Sequence, residues 1–209
     1  MFVGFYSESW LLNSHIMQTR RTKVTETERS ELMRIIRELS YEEREVTLAS
    51  GRKSNFYFDG KQTCLHARGG LLVGKAFWQE IKQFAGPIHG VGGLTLGADP
   101  IATATSIAAA LEGASVHAFI IRKEPKGHGT GQWLEGRKNL PNGSRVVIVE
   151  DVTTTGGSSM KAVERAQLEG LEVVGIVTLV DREEGARENI EGAGQVLRSV
   201  FTRTQVVGK

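Results

Sequence analysis

The sequence predicts an α/β fold in which a mainly parallel sheet is flanked by helices. Two apolar, β-branched runs, RVVIVE (145–150) and EVVGIVTLV (172–180), are typical of strands buried on both faces. A segment with helical character separates them, and alternation of strand with helix places successive strands in parallel. The length of 209 residues suits one compact domain with a sizeable core.

Net charge, cysteine content and hydrophobic runs indicate which partners and which compartment to expect. Lys and Arg total 26 and Asp and Glu 24, so the net charge of +2 gives no reason to expect a nucleic-acid or membrane partner. The single cysteine, Cys64, excludes an internal disulfide and a cysteine zinc site, and it suits a reducing cytoplasm. No apolar run reaches the roughly 18 residues that span a bilayer, and the N-terminus lacks the basic region of a secretory signal. We therefore expect a cytoplasmic protein.

The N-terminal part is expected to contain helices and short strands. Residues 1–24 fit no element and stay unassigned, and Met17 offers a second possible start of translation. We expect a single domain over residues 25–209. Thr25 and Glu28 form a capping box at the start of the first helix. The apolar face of that helix comprises Leu32, Met33, Ile35, Ile36 and Leu39, and β-like segments at 45–50 and 55–59 and a helix over roughly 68–85 follow it.

The rest of the chain repeats strand and helix. Strands are expected at 88–93, 115–122, 145–150, 172–180 and 195–201, with helices over 99–113 and for about 12 residues from Gly157. The segment 123–142 breaks this rhythm because it is rich in glycine and has little apolar periodicity. A loop of that size in a compact domain is usually functional or disordered.

The stretch VVIVEDVTTTGGSS (146–159) follows a buried strand with two carboxylates and then small hydroxyl and glycine residues. Ligands of parallel sheets bind outside the carboxyl ends of the strands, where Glu150 and Asp151 are expected to lie. The segment 153–158 supplies backbone N–H groups at a helix N-terminus, a geometry that holds a phosphate. No lysine follows the second glycine, so the pattern favours a sugar phosphate over a nucleotide triphosphate. A simple helix cap remains an alternative for TTTGGSS taken alone.

The whole stretch resembles the phosphoribosyl-pyrophosphate (PRPP) motif of type I phosphoribosyltransferases. The segments SGRKSNFYFDGK (50–61), RKEPKGHGTG (122–131) and VDREEG (180–185) resemble signatures of the orotate phosphoribosyltransferase family, and the resemblance covers roughly residues 30–200. It implies the type I phosphoribosyltransferase fold, with a small N-terminal hood and a flexible catalytic loop. It also implies an enzyme that transfers 5-phosphoribosyl from PRPP to orotate, giving orotidine 5′-monophosphate and pyrophosphate in pyrimidine (UMP) biosynthesis.

The resemblance also assigns site residues. Catalytic roles are implied for Lys126, His128 and Asp151, and the cations of the 122–131 loop would repel one another unless an anion such as pyrophosphate arrives. The residues implied at orotate are Tyr57, Phe58, Thr154 and Arg182. The residues implied at PRPP are Lys61, Arg122, Lys123, Lys126, His128, Glu150, Asp151, Val152, Thr153, Thr154, Thr155, Gly156, Gly157 and Ser158.

Simpler interpretations of these segments stay open. The basic loop could be only solvated, Phe56 and Phe58 could face the core, and Arg182 could lie on the surface. The chain also departs from the family pattern, since Ala49 stands where some members carry a lysine, and we expect Lys61 to supply that contact. The loop GGLTLGADP (92–100) lacks the Tyr-Lys pair of some members.

Cofactor and partners follow from the same resemblance. Mg²⁺ is expected as the cofactor, held through substrate phosphates and ribose hydroxyls without a dedicated protein metal site. The resemblance implies a homodimer in which the 122–137 loop is shared between active sites. A phosphoribosyltransferase for another base and a regulator that binds PRPP without turnover remain the alternatives, because the acidic pair and the phosphate loop suit all three.

Overall fold

The computed structural model of the chain describes residues 24–47, 53–125 and 132–208. The N-terminal part begins with a helix that Thr25 caps, and Glu28 completes the capping box as predicted. Two short antiparallel strand pairs, β1 with β4 and β2 with β3, follow this helix and lie before the main sheet. The elements are α1 (Glu26–Leu39), β1 (Tyr41–Glu42), β2 (Val46–Thr47), β3 (Lys53–Ser54), β4 (Tyr57–Phe58), α2 (Gly60–Cys64) and α3 (Ala67–Ile81).

The remaining described residues build one six-stranded sheet with helices on both faces. Its elements are β5 (Gly90–Leu94), α4 (Ala98–Leu111), β6 (His117–Ile121), β7 (Leu134–Glu135), β8 (Arg145–Thr153), α5 (Gly157–Leu168), β9 (Glu172–Asp181), α6 (Ala186–Gly192), β10 (Leu197–Thr202) and α7 (Arg203–Val207). The strand order is β10-β9-β8-β5-β6-β7. Every neighbouring pair is parallel except β6 with the edge strand β7. The prediction of a mainly parallel α/β sheet is confirmed.

The central strand β8 is buried on both faces, which explains its unbroken apolar run. Val147 and Val149 belong to the apolar cluster that includes α1, α3 and α4, whereas Val146 and Ile148 belong to a second cluster with α5 and α6. Side chains alternate between the two faces of a strand, so each face of β8 needs its own apolar residues.

The order of the strands reverses between β5 and β8. From β5 the chain passes through α4 to β6, and from β8 it passes through α5 to β9 on the other side. The loops that leave the carboxyl ends of β5 and β8 therefore diverge and open a crevice between them, which is the usual ligand position in such sheets. The segments 95–97 and 150–158 meet at this crevice.

Some sequence predictions need correction. The segment 123–142 is not entirely a loop, because it contains β7 and a 3₁₀ helix at Arg137–Asn139. Leu134 in β7 is fully buried, but a strand of two residues is too short to show a periodic pattern. Leu39 does not join the apolar face of α1, since it is the last residue of the helix and is 44% exposed.

Other predictions lie beyond what the structure describes. Residues 1–23, 48–52, 126–131 and 209 are outside the described residues. The N-terminal extension therefore stays unassigned, and one domain over 25–209 stays a prediction. Within the described ranges, the 15-residue α3 is the longest helix, and none is long and apolar enough to cross a membrane.

Candidate active site

Two carboxylates lie side by side near the carboxyl end of the central strand. Glu150 and Asp151 in β8 are each less than 10% exposed. Glu150 lies on the α5 side, where the hydroxyl of Ser159 donates to its Oε2 at 3.3 Å. Asp151 lies on the α2 side, where its Cβ and Oδ2 adjoin Gly60. The acidic pair thus spans the thickness of the sheet at the crevice between β5 and β8.

The loop after β5 covers this pair at very short range. A Cβ atom built on Gly97 would lie 2.6 Å from Oδ1 of Asp151 and 3.4 Å from Oε1 of Glu150. The first distance is far below ordinary van der Waals contact, so no side chain fits at Gly97 unless the carboxylate moves. The glycine therefore lets a backbone segment approach both acids.

Burial controls the charge of the pair. Burial, together with the neighbouring Asp151 carboxylate, raises the pKa of Glu150 to about 8. Burial also raises the pKa of Asp151, although the positive charge of Lys61 opposes this. The ammonium group of Lys61 lies 2.6 Å from Asp59 Oδ1, and this contact raises the pKa of Lys61, so the lysine stays charged. At neutral pH the ligand-free pair therefore retains a proton, and a cation or hydroxyl donors would favour its full ionisation.

These two acids fit a magnesium ion that is held mainly by a substrate. Their oxygens are the hard ligands that Mg²⁺ prefers, and burial raises the pKa of both acids, so a bound cation would favour their ionised form. Among the described residues, no group of three or more His, Cys, Asp or Glu side chains could hold a metal ion. Magnesium commonly binds through one or two carboxylates together with phosphate oxygens and water.

The loop after β8 turns into a helix whose first N–H groups have no side-chain cap. Gly156 occupies the cap position with φ of +81°, and the Ile190 side chain fills the space where a Cβ would lie. The amide of Asn189 donates to the carbonyl of Thr155 at 3.0 Å and holds the loop from α6. TTTGGSS therefore does supply the helix cap of the simpler interpretation, through the Gly156 backbone and without a side-chain hydrogen bond. An anion can accept hydrogen bonds from these N–H groups.

The hydroxyl residues of this loop differ in exposure. Thr155 and Ser158 are exposed together with Gly157, and Val152 and Thr154 are half-buried. The hydroxyl oxygen of Thr153 is buried and has no hydrogen-bond partner in the structure. A buried polar atom without a partner is costly unless a ligand or water satisfies it. The exposed hydroxyls of Thr155 and Ser158, together with the uncapped N–H groups, are the donors that a phosphate requires.

Arg182 lies at the carboxyl end of β9 and is buried, so the surface interpretation is wrong. Its backbone N–H donates to the Thr153 carbonyl at 3.0 Å, which places it beside the phosphate loop. Its Nη2 donates to Ser54 Oγ and to the Phe56 carbonyl, both at 3.2 Å. Its Nε donates to Glu184 at 3.0 Å. The arginine therefore joins the 53–58 segment to the end of the sheet.

The rings of the 53–58 segment have different surroundings. Phe58 is buried in the core and its ring stacks on Phe56 with centroids 5.9 Å apart, as the simpler interpretation expected. Tyr57 is half-buried, and the guanidinium of Arg44 lies 3.8 Å from its ring centroid. The ring of Phe58 is occupied by core packing, so a ligand at this segment would meet the backbone of residues 57 and 58 and the Tyr57 side chain.

The cationic loop is described only at its ends. Lys126 and His128 lie outside the described residues, as does Ala49. Arg122 and Lys123 line a cavity of about 230 Å³ at the carboxyl ends of β5 and β6. Arg122 also forms an ion pair with Glu135 at 3.1 Å. The cavity is electropositive because cations outnumber its one carboxylate. Its other lining residues are Leu94, Ile121, Trp133, Lys161, Glu164 and Arg165.

Several of these residues were not found from the sequence. Lys161 and Arg165 lie one turn apart on α5, and Arg165 covers the Trp133 ring at 3.7 Å from its centroid. No motif marks them, because a lysine and an arginine on a helix usually indicate a solvated face. Ser159 and Glu184 lie inside the motifs 146–159 and 180–185, but neither of them was assigned a role from the sequence.

The known proteins that this chain resembles are phosphoribosyltransferases. The model of the phosphoribosyl transferase domain matches residues 66–207. The chain is 42% identical over 197 residues to an orotate phosphoribosyltransferase of a Nostoc species, covering 94% of this chain and 93% of that protein. It is 44% identical over 183 residues to that of Aquifex aeolicus, covering 86% and 98%. The structure of Mycobacterium tuberculosis orotate phosphoribosyltransferase in complex with 5-phospho-alpha-D-ribosyl 1-diphosphate matches with a TM-score of 0.71 and 39% identity, covering 86% and 99%.

The raised pKa of Glu150 predicts a pH-dependent effect of Glu150→Gln on stability. The folded protein keeps a proton up to about pH 8, whereas the unfolded chain loses it near 4.5, so the free energy of unfolding falls as pH rises through this window. Glutamine does not ionise, so the free energy of unfolding of Glu150→Gln lacks this fall at high pH. We expect Glu150→Gln to raise Tm by about 4 °C at pH 9 and by under about 1 °C at pH 5, measured by calorimetry without ligands.

Glu188→Gln on the exposed face of α6 is the matched control, since this carboxylate is in solvent. It should shift Tm equally little at both pH values. An equal Tm difference between wild type and Glu150→Gln at pH 5 and pH 9 would contradict the proposed protonation of the pair.

Proposed function

The chain belongs to the orotate phosphoribosyltransferase family, and from this we propose that it transfers 5-phosphoribosyl from PRPP to orotate. The products are orotidine 5′-monophosphate and pyrophosphate, a step of pyrimidine (UMP) biosynthesis. The buried pair Glu150 and Asp151 at the switch point of the sheet carries this proposal. A phosphate loop follows the pair directly, and the buried Arg182 adjoins that loop.

The acidic pair and its loop suit the ribose phosphate. Glu150 and Asp151 accept hydrogen bonds from the vicinal ribose hydroxyls, and the N–H groups and hydroxyls of Thr153–Ser158 hold the 5-phosphate. Positive charge develops on the ribose as the bond to pyrophosphate breaks, and the Asp151 carboxylate stabilises it. Val152 contributes through the backbone, and Lys61 supplies a cation next to Asp151, which replaces the lysine that some family members carry at the sequence position of Ala49.

The orotate position lies between Arg182 and the 57–58 segment. The Nη1 group of Arg182 makes no hydrogen bond with the described residues, so it can donate to the orotate carboxylate or imide. The backbone of Tyr57 and Phe58 and the side chain of Thr154 complete the contacts. Fixing both substrates in this way brings the pyrimidine nitrogen to the anomeric carbon.

Cations serve the leaving pyrophosphate. Mg²⁺, when bound with PRPP, neutralises charge on the pyrophosphate and orders the ribose hydroxyls. Arg122 and Lys123 lie at the base of the cationic loop, and the family resemblance adds Lys126 and His128 as the groups that stabilise and protonate the leaving group. A loop that covers the site also keeps water from the reactive ribose.

A homodimer that shares the 122–137 loop completes this proposal. In the single chain, α4 presents Ile107 and Leu111 to solvent at 56% and 70% exposure, and Leu96 in the loop before it is 67% exposed. Ile107 and Leu111 lie one turn apart on α4, and exposed apolar side chains of this size suit burial against a second copy. The compartment we propose is the cytoplasm, where the buried thiol of Cys64 stays reduced.

The test of the proposed function is orotate absorbance over time with purified protein, Mg²⁺ and PRPP. Loss of orotate that needs both Mg²⁺ and PRPP is the expected result. Adenine, hypoxanthine and uracil are offered in parallel, and turnover of one of them without turnover of orotate would indicate another base. PRPP binding without turnover of any base would indicate a regulator.

The contact between Gly97 and the acidic pair predicts a selective effect of Gly97→Ala. The added Cβ displaces the Asp151 carboxylate, while the helical φ and ψ of Gly97 accept alanine without strain. We expect kcat/KM for PRPP to fall by at least about tenfold and Tm to change by under about 4 °C. Gly192→Ala, where no atom lies within 4 Å of the added Cβ, is the control. Equal activity of Gly97→Ala and Gly192→Ala would contradict the prediction that the position of the Asp151 carboxylate matters for turnover.

The shared loop predicts recovery of activity in a mixture of inactive variants. Lys126→Ala and Glu150→Gln each should abolish most turnover, but a mixed dimer would have one site with both wild-type residues. Random reassociation of equal amounts should restore about a quarter of wild-type turnover. Glu150→Gln mixed with Gly97→Ala should give no turnover beyond the mean of the two separate variants, because both residues lie in the same subunit's site. No recovery from the first mixture, with mixed dimers detected by mass, would contradict loop sharing.

A further inference from the structure

We propose that Glu184 and Arg203 are positioning residues that fix Arg182 in its orotate-binding orientation, so that the C-terminal helix α7 contributes to affinity for the base. This inference rests on the proposed contact between Arg182 and orotate. It adds two residues that lie outside the substrate contacts themselves. Neither acts on the substrate directly, and both act through the guanidinium of Arg182.

Glu184 holds one edge of the Arg182 guanidinium. Its Oε1 lies 3.0 Å from Nε and 2.9 Å from Nη2 of Arg182, and the two side chains are 11% and 8% exposed. A buried ion pair of this geometry defines the rotamer of the arginine. The Nη2 group also donates to Ser54 and to the Phe56 carbonyl. The Nη1 side is left for a ligand.

Arg203 also contacts the Glu184 carboxylate. Its Nη1 lies 3.7 Å from Oε1 of Glu184, the same oxygen that Arg182 contacts. The guanidinium groups of Arg182 and Arg203 lie 5.2 Å and 5.3 Å from the centroid of the Phe56 ring. Two cations thus lie near one aromatic ring, and the shared carboxylate offsets their repulsion. Loss of Glu184 would drive the two guanidinium groups apart.

A second contact fixes α7 against the same loop. The carboxylate of Glu183 accepts hydrogen bonds from the backbone N–H of Thr204 at 2.8 Å and from its hydroxyl at 2.6 Å. Glu183 has φ of +57°, a left-handed conformation that non-glycine residues rarely adopt. The contacts with Thr204 help to maintain this conformation. The loop that follows Arg182 is therefore joined to α7 by both of its glutamates.

The test compares KM and kcat for both substrates in Glu184→Gln, Arg203→Ala and Arg182→Ala. Glu184→Gln keeps the shape of the side chain, and we expect it to raise KM for orotate about tenfold. Arg203→Ala should raise it about threefold, and both should change KM for PRPP and kcat by under about twofold. A general structural defect would affect PRPP as well. Arg198→Ala is the matched control, since Arg198 pairs with Glu80 at 2.9 Å at similar exposure but away from Arg182.

A double variant decides whether Glu184 acts through Arg182. In the Arg182→Ala background, Glu184→Gln should cause no further rise in KM for orotate. An additive rise in KM for orotate would overturn the positioning role. The same holds if Arg182→Ala raises KM but Glu184→Gln and Arg203→Ala leave it unchanged. Either result would leave the Arg182 contact intact. Unchanged KM in Arg182→Ala would overturn both, whereas turnover of orotate by the wild type would still support the function.

Discussion

The burial of two adjacent carboxylates at the end of the central strand is the constraint on which the rest of the site depends. Removing a charged carboxylate from water is unfavourable. Partial protonation and the Ser159 hydroxyl reduce this penalty at Glu150, and the positive charge of Lys61 reduces it at Asp151. The apolar residues of β8 hold the strand between two core clusters and so fix the acids at its end. Gly97 then brings a backbone loop against them. The protein thus keeps at neutral pH a site that a hydroxylated, metal-bound ligand would stabilise.

The topology of the sheet explains why the other parts of the site lie next to this pair. Strands β8 and β9 are parallel neighbours, so their carboxyl ends place the phosphate loop and Arg182 side by side, joined by the hydrogen bond from Arg182 to Thr153. The strand on the other side, β5, brings its loop across the switch point. Three separate segments therefore meet because parallel strands share one edge. The proposed contacts with ribose phosphate, base and pyrophosphate correspond to these segments.

Much of this arrangement could be predicted from the sequence because its signals are local. The strands β8 and β9 have continuous apolar runs, the capping box at Thr25 joins residues three apart, and the acidic pair is contiguous with its loop. Other features depend on tertiary contacts. The pairing of Glu184 with Arg203 and the cationic lining by Lys161 and Arg165 bring together residues whose individual sequence context is ordinary. Lys126 and His128 were assigned by resemblance alone, and they lie outside the described residues.

The most direct test of this account is the number of protons released when Mg²⁺ and PRPP bind at pH 7. Calorimetric titration in two buffers of different ionisation enthalpy measures this number, and Glu150→Gln provides the reference for protons that come from the ligand itself. Because ligand binding should ionise a carboxyl that burial keeps protonated, the wild type should release up to about one proton per site more than Glu150→Gln. Equal release from the two proteins, with PRPP bound in both, would contradict the view that ligand binding ionises this buried pair.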